Sequence, residues 1–199
     1  FIQGTRLVDS LFDTFKDSII PTNDSELVKE ELNEIADCLA VVSQPENQNY
    51  LKRYLAYDRN LIQALSSIFK QKDIEVEELI TEVVKDIQNL IYKLKYHYQR
   101  PRPFQLALYT NQNLHPYDSV SAQSPSYPSG HATQAFFILS VIAFHYEEKK
   151  DELMKLAKQI ADSRVILGLH YPSDNDFGFQ IVNQLLLKEN IKEKYFGNV

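Results

Sequence analysis

Apolar residues recur at three- and four-residue intervals through most of the chain, with Glu, Lys and Asp between them. That period predicts amphipathic helices over 5–20, 25–43, 48–71 and 74–98. The fourth is the clearest, because Val76, Ile80, Val83, Ile87, Leu90, Ile91, Leu94 and Tyr98 fall on one stripe. Pro21 to Asp24, Pro45 to Asn47 and Lys72-Asp73 separate the segments, and Asp24 or Ser25 is placed to cap the second. From Ser129 to Tyr146 the pattern is apolar nearly all round, as expected of a helix at the centre of a bundle. Helices over 151–168 and 174–187 follow, with a short one near the C-terminus. No strand alternation, repeat or low-complexity tract interrupts them, so the expected fold class is all-α. One domain over 1–199 is expected, with 1–90 as scaffold helices and 91–180 as the part that carries chemistry. The long irregular stretch from Phe104 to Tyr127 is expected to shape a binding site.

Composition narrows the partners. The 199 residues suffice to bury a core without disulfides or structural metal. Acidic residues outnumber basic ones 27 to 21, which argues against nucleic acid, since phosphate backbones demand a basic face. Any anion site must therefore be a local concentration of positive charge. The single cysteine, Cys38, excludes an internal disulfide or a cysteine-rich zinc site. With Ile35, Ala36, Leu39 and Ala40 around it, Cys38 is expected to be a small buried filler. The longest apolar stretch, near Ala135 to Phe144, is far short of the ~20 residues that span a bilayer, so no membrane partner is expected. A soluble protein follows, with a cytoplasmic location favoured. The start at Phe1 rather than Met leaves a periplasmic or secreted location open. Apolar positions on the outer faces of the N-terminal helices are compatible with a homo-oligomer.

Three clusters in the second half carry the candidate chemistry. Pro128-Ser129-Gly130-His131 opens the apolar helix, where free N–H groups and the positive dipole end favour an anion. Gly130 lets an anion approach the backbone, Ser129 can cap the helix or donate its hydroxyl, and His131 stands beside the same point. Five residues separate Ser163-Arg164 from His170, and three separate His170 from Asp174. Arg164 falls in line with Ala157, Ile160, Ala161 and Gly168, a core-facing stripe on which a guanidinium needs either an anion or a carboxylate. Ser173 is expected to start the next helix, with Asp176 at the capping-box position. Asp174 then lies in its first turn, close enough to bond one imidazole nitrogen of His170 and leave the other free.

The remaining cluster has two registers, since Lys93 with Arg100-Pro101 and Lys95 with Arg102-Pro103 both read Lys, six residues, Arg-Pro. On a helical wheel Lys95 lies ~80° from the centre of the apolar stripe and Lys93 ~120°, so Lys95 and Arg102 are preferred. Lys93 and Arg100 are expected to be solvated, with Arg100 at most helping to position the loop. Tyr109, His115, Tyr117 and Tyr127 suit the loop for stacking on a base, sugar or aryl group.

Taken in order, these clusters resemble the signature of the type 2 phosphatidic acid phosphatase superfamily. It includes bacterial class A acid phosphatases and vanadium-dependent haloperoxidases. The resemblance covers about residues 95 to 178 and is nearest the acid phosphatase branch. It implies a single-domain helical bundle of that type and a metal-independent phosphatase acting on small phosphorylated substrates, phosphomonoesters or pyrophosphates. His170 would attack phosphorus to give a phosphohistidine, Asp174 would orient it, and His131 would protonate the leaving oxygen and then activate water. Lys95, Arg102, Arg164, the Ser129 hydroxyl and the Gly130 amide would neutralise the equatorial oxygens. No metal or other cofactor is implied, and vanadate is expected to inhibit. Vanadate would be a cofactor only under the alternative of a haloperoxidase; a non-catalytic phosphate-binding helical protein is the third reading.

Overall fold

The computed structural model describes residues 11–72 and 74–197. Among them the chain is helical with irregular connections and no strand. After a helical segment at 11–15 come α1 (Glu26–Val42), α2 (Gln48–Arg59), α3 (Leu61–Lys70), α4 (Glu77–Tyr98) and the short α5 (Pro103–Ala107). Then follow α6 (Gly130–His145), α7 (Lys150–Ile166), α8 (Pro172–Leu185) and α9 (Glu189–Phe196).

The centre belongs to α6, which packs against α4, α7, α8 and α9. Ala132, Ala135, Phe137, Ile138, Leu139, Val141 and Ile142 point in several directions around its axis, and all are buried. That is the consequence of a sequence apolar on every face. Removing Phe137, fully buried, is expected to cost about 3–5 kcal/mol. From α4, Ile80, Val83, Ile87, Leu90, Ile91 and Leu94 meet this core along the predicted stripe. Helices α1 and α2 lie against α7 from the other side.

Several boundaries differ from the sequence reading. The segment 48–71 is broken at Asn60, whose extended backbone (φ −159°, ψ 94°) ends α2. Its side-chain oxygen accepts from the Gln63 amide at 3.0 Å and so starts α3. A short amide that bonds nearby backbone competes with the helix ladder, which apolar periodicity does not register. The first segment stops being helical after residue 15, and its predicted start lies outside the described residues. Ile74 and Val76 are buried but precede α4. The stretch 104–127 contains most of α5 and a 3-10 turn at Val120–Gln123. Cys38 is partly exposed rather than buried.

Two glycines set the geometry that the site needs. Gly168, after α7, has φ +77°, and a Cβ there would lie 3.1 Å from Leu39 Cδ1 and from Pro116 Cα. The left-handed turn lets the amides of Leu169 and His170 fold back onto the Arg164 carbonyl at 2.9 and 3.2 Å. At Gly178 a Cβ would come within 2.5 Å of Thr133 Oγ1, so only a glycine lets α8 lie this close to α6. The Ser129 amide donates to the Asp174 carbonyl at 3.0 Å across that contact, joining the starts of the two helices.

Candidate active site

His170 stands between the Gly168 turn and α8. That helix starts at Pro172, two residues earlier than expected, so Asp174 rather than Asp176 is its third residue. The Asp174 carboxylate reaches back to the Tyr171 amide (3.0 Å) and accepts from His170 Nδ1 (2.9 Å) and from Ser126 Oγ. Its second oxygen accepts from Arg100 Nη1 at 2.7 Å. Burial alone would push this carboxyl up, but Arg100, His170 and Ser126 outweigh it and hold the group well below the usual carboxylate range. With its Nδ1 proton given to Asp174, His170 keeps a lone pair on Nε2, which accepts from Arg102 Nη1 at 2.8 Å. Burial, then the charges of Arg102 and Lys95, hold the imidazole pKa well below its ordinary value, so it is neutral.

The cations form two kinds of partnership. Arg102 donates from Nε to the Ser124 carbonyl (2.9 Å) and from Nη1 to the Leu169 carbonyl (2.8 Å). Lys95 Nζ donates to the carbonyls of Pro125 (2.6 Å) and Ser126 (3.2 Å). These partners are neutral, and among the described residues neither cation bonds a carboxylate. Burial pushes the Arg102 pKa down to about 10, and burial together with Arg102 holds Lys95 well below its usual range. Arg164, fully buried, instead pairs with Asp58 at 2.7 Å and donates to Ser121 Oγ at 3.0 Å. Asp58 also accepts from Ser119 (2.6 Å) and Ser121 (2.9 Å). Nothing in the sequence singled out Asp58, because an acidic residue in an amphipathic helix reads as solvent-facing and its partner lies 106 positions away.

A cavity of about 270 Å³ is walled by Lys95, Arg102, Gly130, His131 and His170. Ser129, Arg164 and Asp174 stand behind that wall. The Ser129 hydroxyl oxygen caps α6 by accepting from the Ala132 amide at 3.4 Å. His131 keeps a partly exposed edge on the cavity, while the protein packed around it and the charge of Arg164 push its pKa down to about 3. A Cβ on Gly130 would meet Ile91 and Lys95 only at 3.6 and 3.9 Å, so its bareness serves the cavity side and not the packing of α6 on α4.

Lys93 is exposed, as expected, but Arg100 is not: it is buried and 2% exposed. Helix α4 ends at Tyr98, and Gln99 takes the left-handed conformation (φ 51°, ψ 32°). The angular step of a helix therefore does not carry on to Arg100, which turns inward. It bonds Asp174, Ser173 Oγ (2.8 Å) and Glu31 Oε2 (3.2 Å), with its guanidinium carbon 3.9 Å from the Tyr171 ring centre. The aromatic reading of the loop is also corrected. Tyr127 is buried and stacks on Phe177 with ring centres 4.3 Å apart, and Tyr109, His115 and Tyr117 do not line the cavity. Tyr92 and Tyr96 of α4 line it instead, with Gln88, Gln123, Gln134 and Val120.

A carboxylate-held imidazole and two cations bonded to carbonyls thus share one cavity of an all-α fold. The family model described as the PAP2 superfamily matches residues 79–181, and the chain belongs to that superfamily. Over 103 residues it is 32% identical to a non-specific acid phosphatase of Providencia stuartii, covering 51% of this chain and 41% of that protein. Over 85 residues it is 34% identical to a non-specific acid phosphatase of Salmonella typhimurium, covering 42% and 33%. The matched parts thus span less than half the length of these relatives. A transmembrane PAP2 type phosphatidylglycerolphosphate phosphatase from Bacillus subtilis shares the fold with a TM-score of 0.62 at 20% identity, over 98% of both chains. Among the described residues no helix is long and apolar enough to cross a membrane.

Proposed function

We propose that this chain is a phosphatase that hydrolyses small phosphomonoesters through a phosphohistidine. The observation that carries the reading is the orientation of His170. Its Nδ1 proton is committed to Asp174, and its Nε2 lone pair lies on the wall of a cavity lined by two cations that bond carbonyls and, among the described residues, no carboxylate. Nε2 attacks phosphorus while the bond to the leaving oxygen breaks. His131 supplies the proton that the leaving oxygen takes. In the second half, a water deprotonated by His131 attacks phosphorus, the P–N bond breaks and inorganic phosphate leaves. Lys95, Arg102 and the Gly130 amide stabilise the equatorial oxygens, which is the main requirement of phosphoryl transfer. Arg164 acts from behind, where it fixes Asp58 and Ser121 and keeps His131 poor at holding a proton until an anion arrives. Ser129 contributes through its cap on α6. With Lys95 and Arg102 in the electrophilic role, the mechanism is proposed to run without added metal.

The outer wall of the cavity supports a substrate class. Gln88, Tyr92, Tyr96, Val120, Gln123 and Gln134 carry no formal charge, which favours a neutral leaving group able to stack on a ring and bond an amide. Hydrolysis of a chromogenic phosphomonoester in the presence of a chelator, with a test for a trapped phosphoprotein that is stable to base and labile to acid, as a P–N bond is, checks the whole reading. Activity is expected in the wild-type protein, competitive inhibition by vanadate, and neither turnover nor phosphoprotein in His170→Ala. Turnover surviving that substitution would remove His170 as the nucleophile, and halide oxidation by peroxide after vanadate loading would point to haloperoxidase chemistry instead.

A further inference from the structure

We propose that Arg100, gripped by Glu31 from α1, is a positioning residue that holds the Asp174 carboxylate where it accepts the His170 Nδ1 proton. The inference rests on the reading of His170 as the nucleophile and extends the site into a helix outside the matched segment 79–181.

The contacts divide the labour between the two carboxylate oxygens. Arg100 Nη1 occupies Asp174 Oδ1 at 2.7 Å, which leaves Oδ2 to His170, Ser126 and the Tyr171 amide. Arg100 itself is fixed from three sides. Its other terminal nitrogen bonds Glu31 Oε2 at 3.2 Å, Nη1 also reaches Ser173 Oγ at 2.8 Å, and the Tyr171 ring lies against its face. Glu31 in turn takes the Ser173 amide at 2.6 Å and the Ser173 hydroxyl at 2.9 Å, so the residue next to Asp174 is tied to the same carboxylate. Glu31, Arg100 and Asp174 are all buried, and a carboxylate so placed stays ionised and oriented only if a cation meets it. Around Asp174 stand Arg100 beyond α4, Glu31 from α1, Arg102 at the start of α5, Lys95 from α4, and His170. Among the described residues Arg100 is the lysine or arginine that bonds the Asp174 carboxylate; Lys95 and Arg102 donate to carbonyls. This is a role for α1 that no catalytic group on it would reveal.

A purely structural ion pair, locking α1 to α8, predicts only a less stable protein. Positioning predicts a change in the chemistry of the folded molecules, which the pH dependence of kcat and the imidazole proton resonance read out. In Arg100→Gln, kcat at about pH 6 is expected to fall by about 10–100-fold with KM changed by less than about threefold. The acidic limb of kcat is expected to move up by at least about one pH unit, as Asp174 loses its cation. Arg100→Lys keeps the charge without the fork and is expected to lose rate while retaining the wild-type limb. In Glu31→Gln, Arg100 remains, so the limb is expected to stay in place while kcat falls by about 3–10-fold. The downfield resonance of the His170 Nδ1 proton, present in the wild type, is expected to vanish or shift in Arg100→Gln. Wild-type rate per folded molecule, an unmoved limb and an unchanged resonance in Arg100→Gln would overturn the proposal. If Arg100→Gln does not fold, a wild-type rate in both Arg100→Lys and Glu31→Gln would overturn it equally. A wild-type protein inert toward phosphomonoesters would fail the phosphatase reading instead, and the resonance would still decide whether Arg100 holds Asp174.

Discussion

Arg102 Nη1 lies 2.8 Å from Nε2 of His170, on the side of the ring opposite the Nδ1 contact with Asp174. One imidazole is thereby held between a carboxylate that accepts a hydrogen bond from its Nδ1–H and a guanidinium that donates to its lone pair. Under the proposed mechanism a phosphorus atom approaching Nε2 would take over that lone pair and present an equatorial oxygen to the same N–H, so that ground state and transition state would share one donor.

The two histidines fix the direction of the pH dependence. His131 has its pKa pushed down to about 3, by burial first and by Arg164 next, so the free protein holds the leaving-group proton poorly. Burial first and Arg102 next hold the His170 pKa well below its ordinary value, which favours the neutral imidazole. If His131 is the proposed acid, loss of its proton as pH rises would limit capture of substrate. The value of kcat/KM is expected to fall steadily from about pH 5 to about pH 9. A bound phosphate raises the His131 pKa, so the corresponding limb of kcat is expected at least about one unit higher. Michaelis curves across that range check both, and kcat/KM still rising at about pH 9 would remove His131 as the acid.

Lys95 and Lys93 separate the two registers. Lys95 is buried and lines the cavity, whereas Lys93 is exposed on the same helix. Lys95→Ala is expected to lower kcat/KM by about 10²–10³-fold, the scale seen when one preorganised donor is removed from a charged transition state. Lys93→Ala is expected to stay within about twofold, as for most exposed charges. Steady-state kinetics of the two variants, with circular dichroism to confirm folding, make the comparison, and the opposite ranking would place the phosphate on the other register.

Tyr92 and Tyr96 face the cavity one helical turn apart, each about half exposed. Replacing Tyr96 by Ala is expected to reduce the preference for an aryl phosphate over a simple alkyl phosphate by about 3–10-fold, the worth of one aromatic contact. Inhibition by inorganic phosphate, which carries no leaving group, is expected to remain near the wild-type level. Equal loss toward both substrates would mean that the ring supports the fold and not the substrate.

Much of the helical arrangement was legible because a 3.6-residue period writes itself into the chain. The α4 stripe and the apolar α6 needed no tertiary information. Of the candidate groups, Lys95, Arg102, Gly130, His131 and His170 meet at one cavity, and Asp174 bonds His170 through Nδ1 as its first-turn position implied. What failed was the placing of Arg100. It was assigned to solvent with Lys93 as the other register, yet beyond Tyr98 Gln99 takes the left-handed conformation and Arg100 is buried. The break at Asn60 was missed for a related reason, since a single side-chain cap outweighs a local apolar pattern.

Sequence alone determined most of the helices, the central place of α6 and the kinds of side chain at the site, because periodicity and residue chemistry act over a few neighbouring positions. Only the folded molecule decided which carboxylate answers which cation. Glu31 meets Arg100 across 69 residues and Asp58 meets Arg164 across 106, and Lys95 and Arg102 are left to carbonyls. Such pairings are set by where buried charge finds the nearest partner in three dimensions, and no local pattern along the chain encodes that distance.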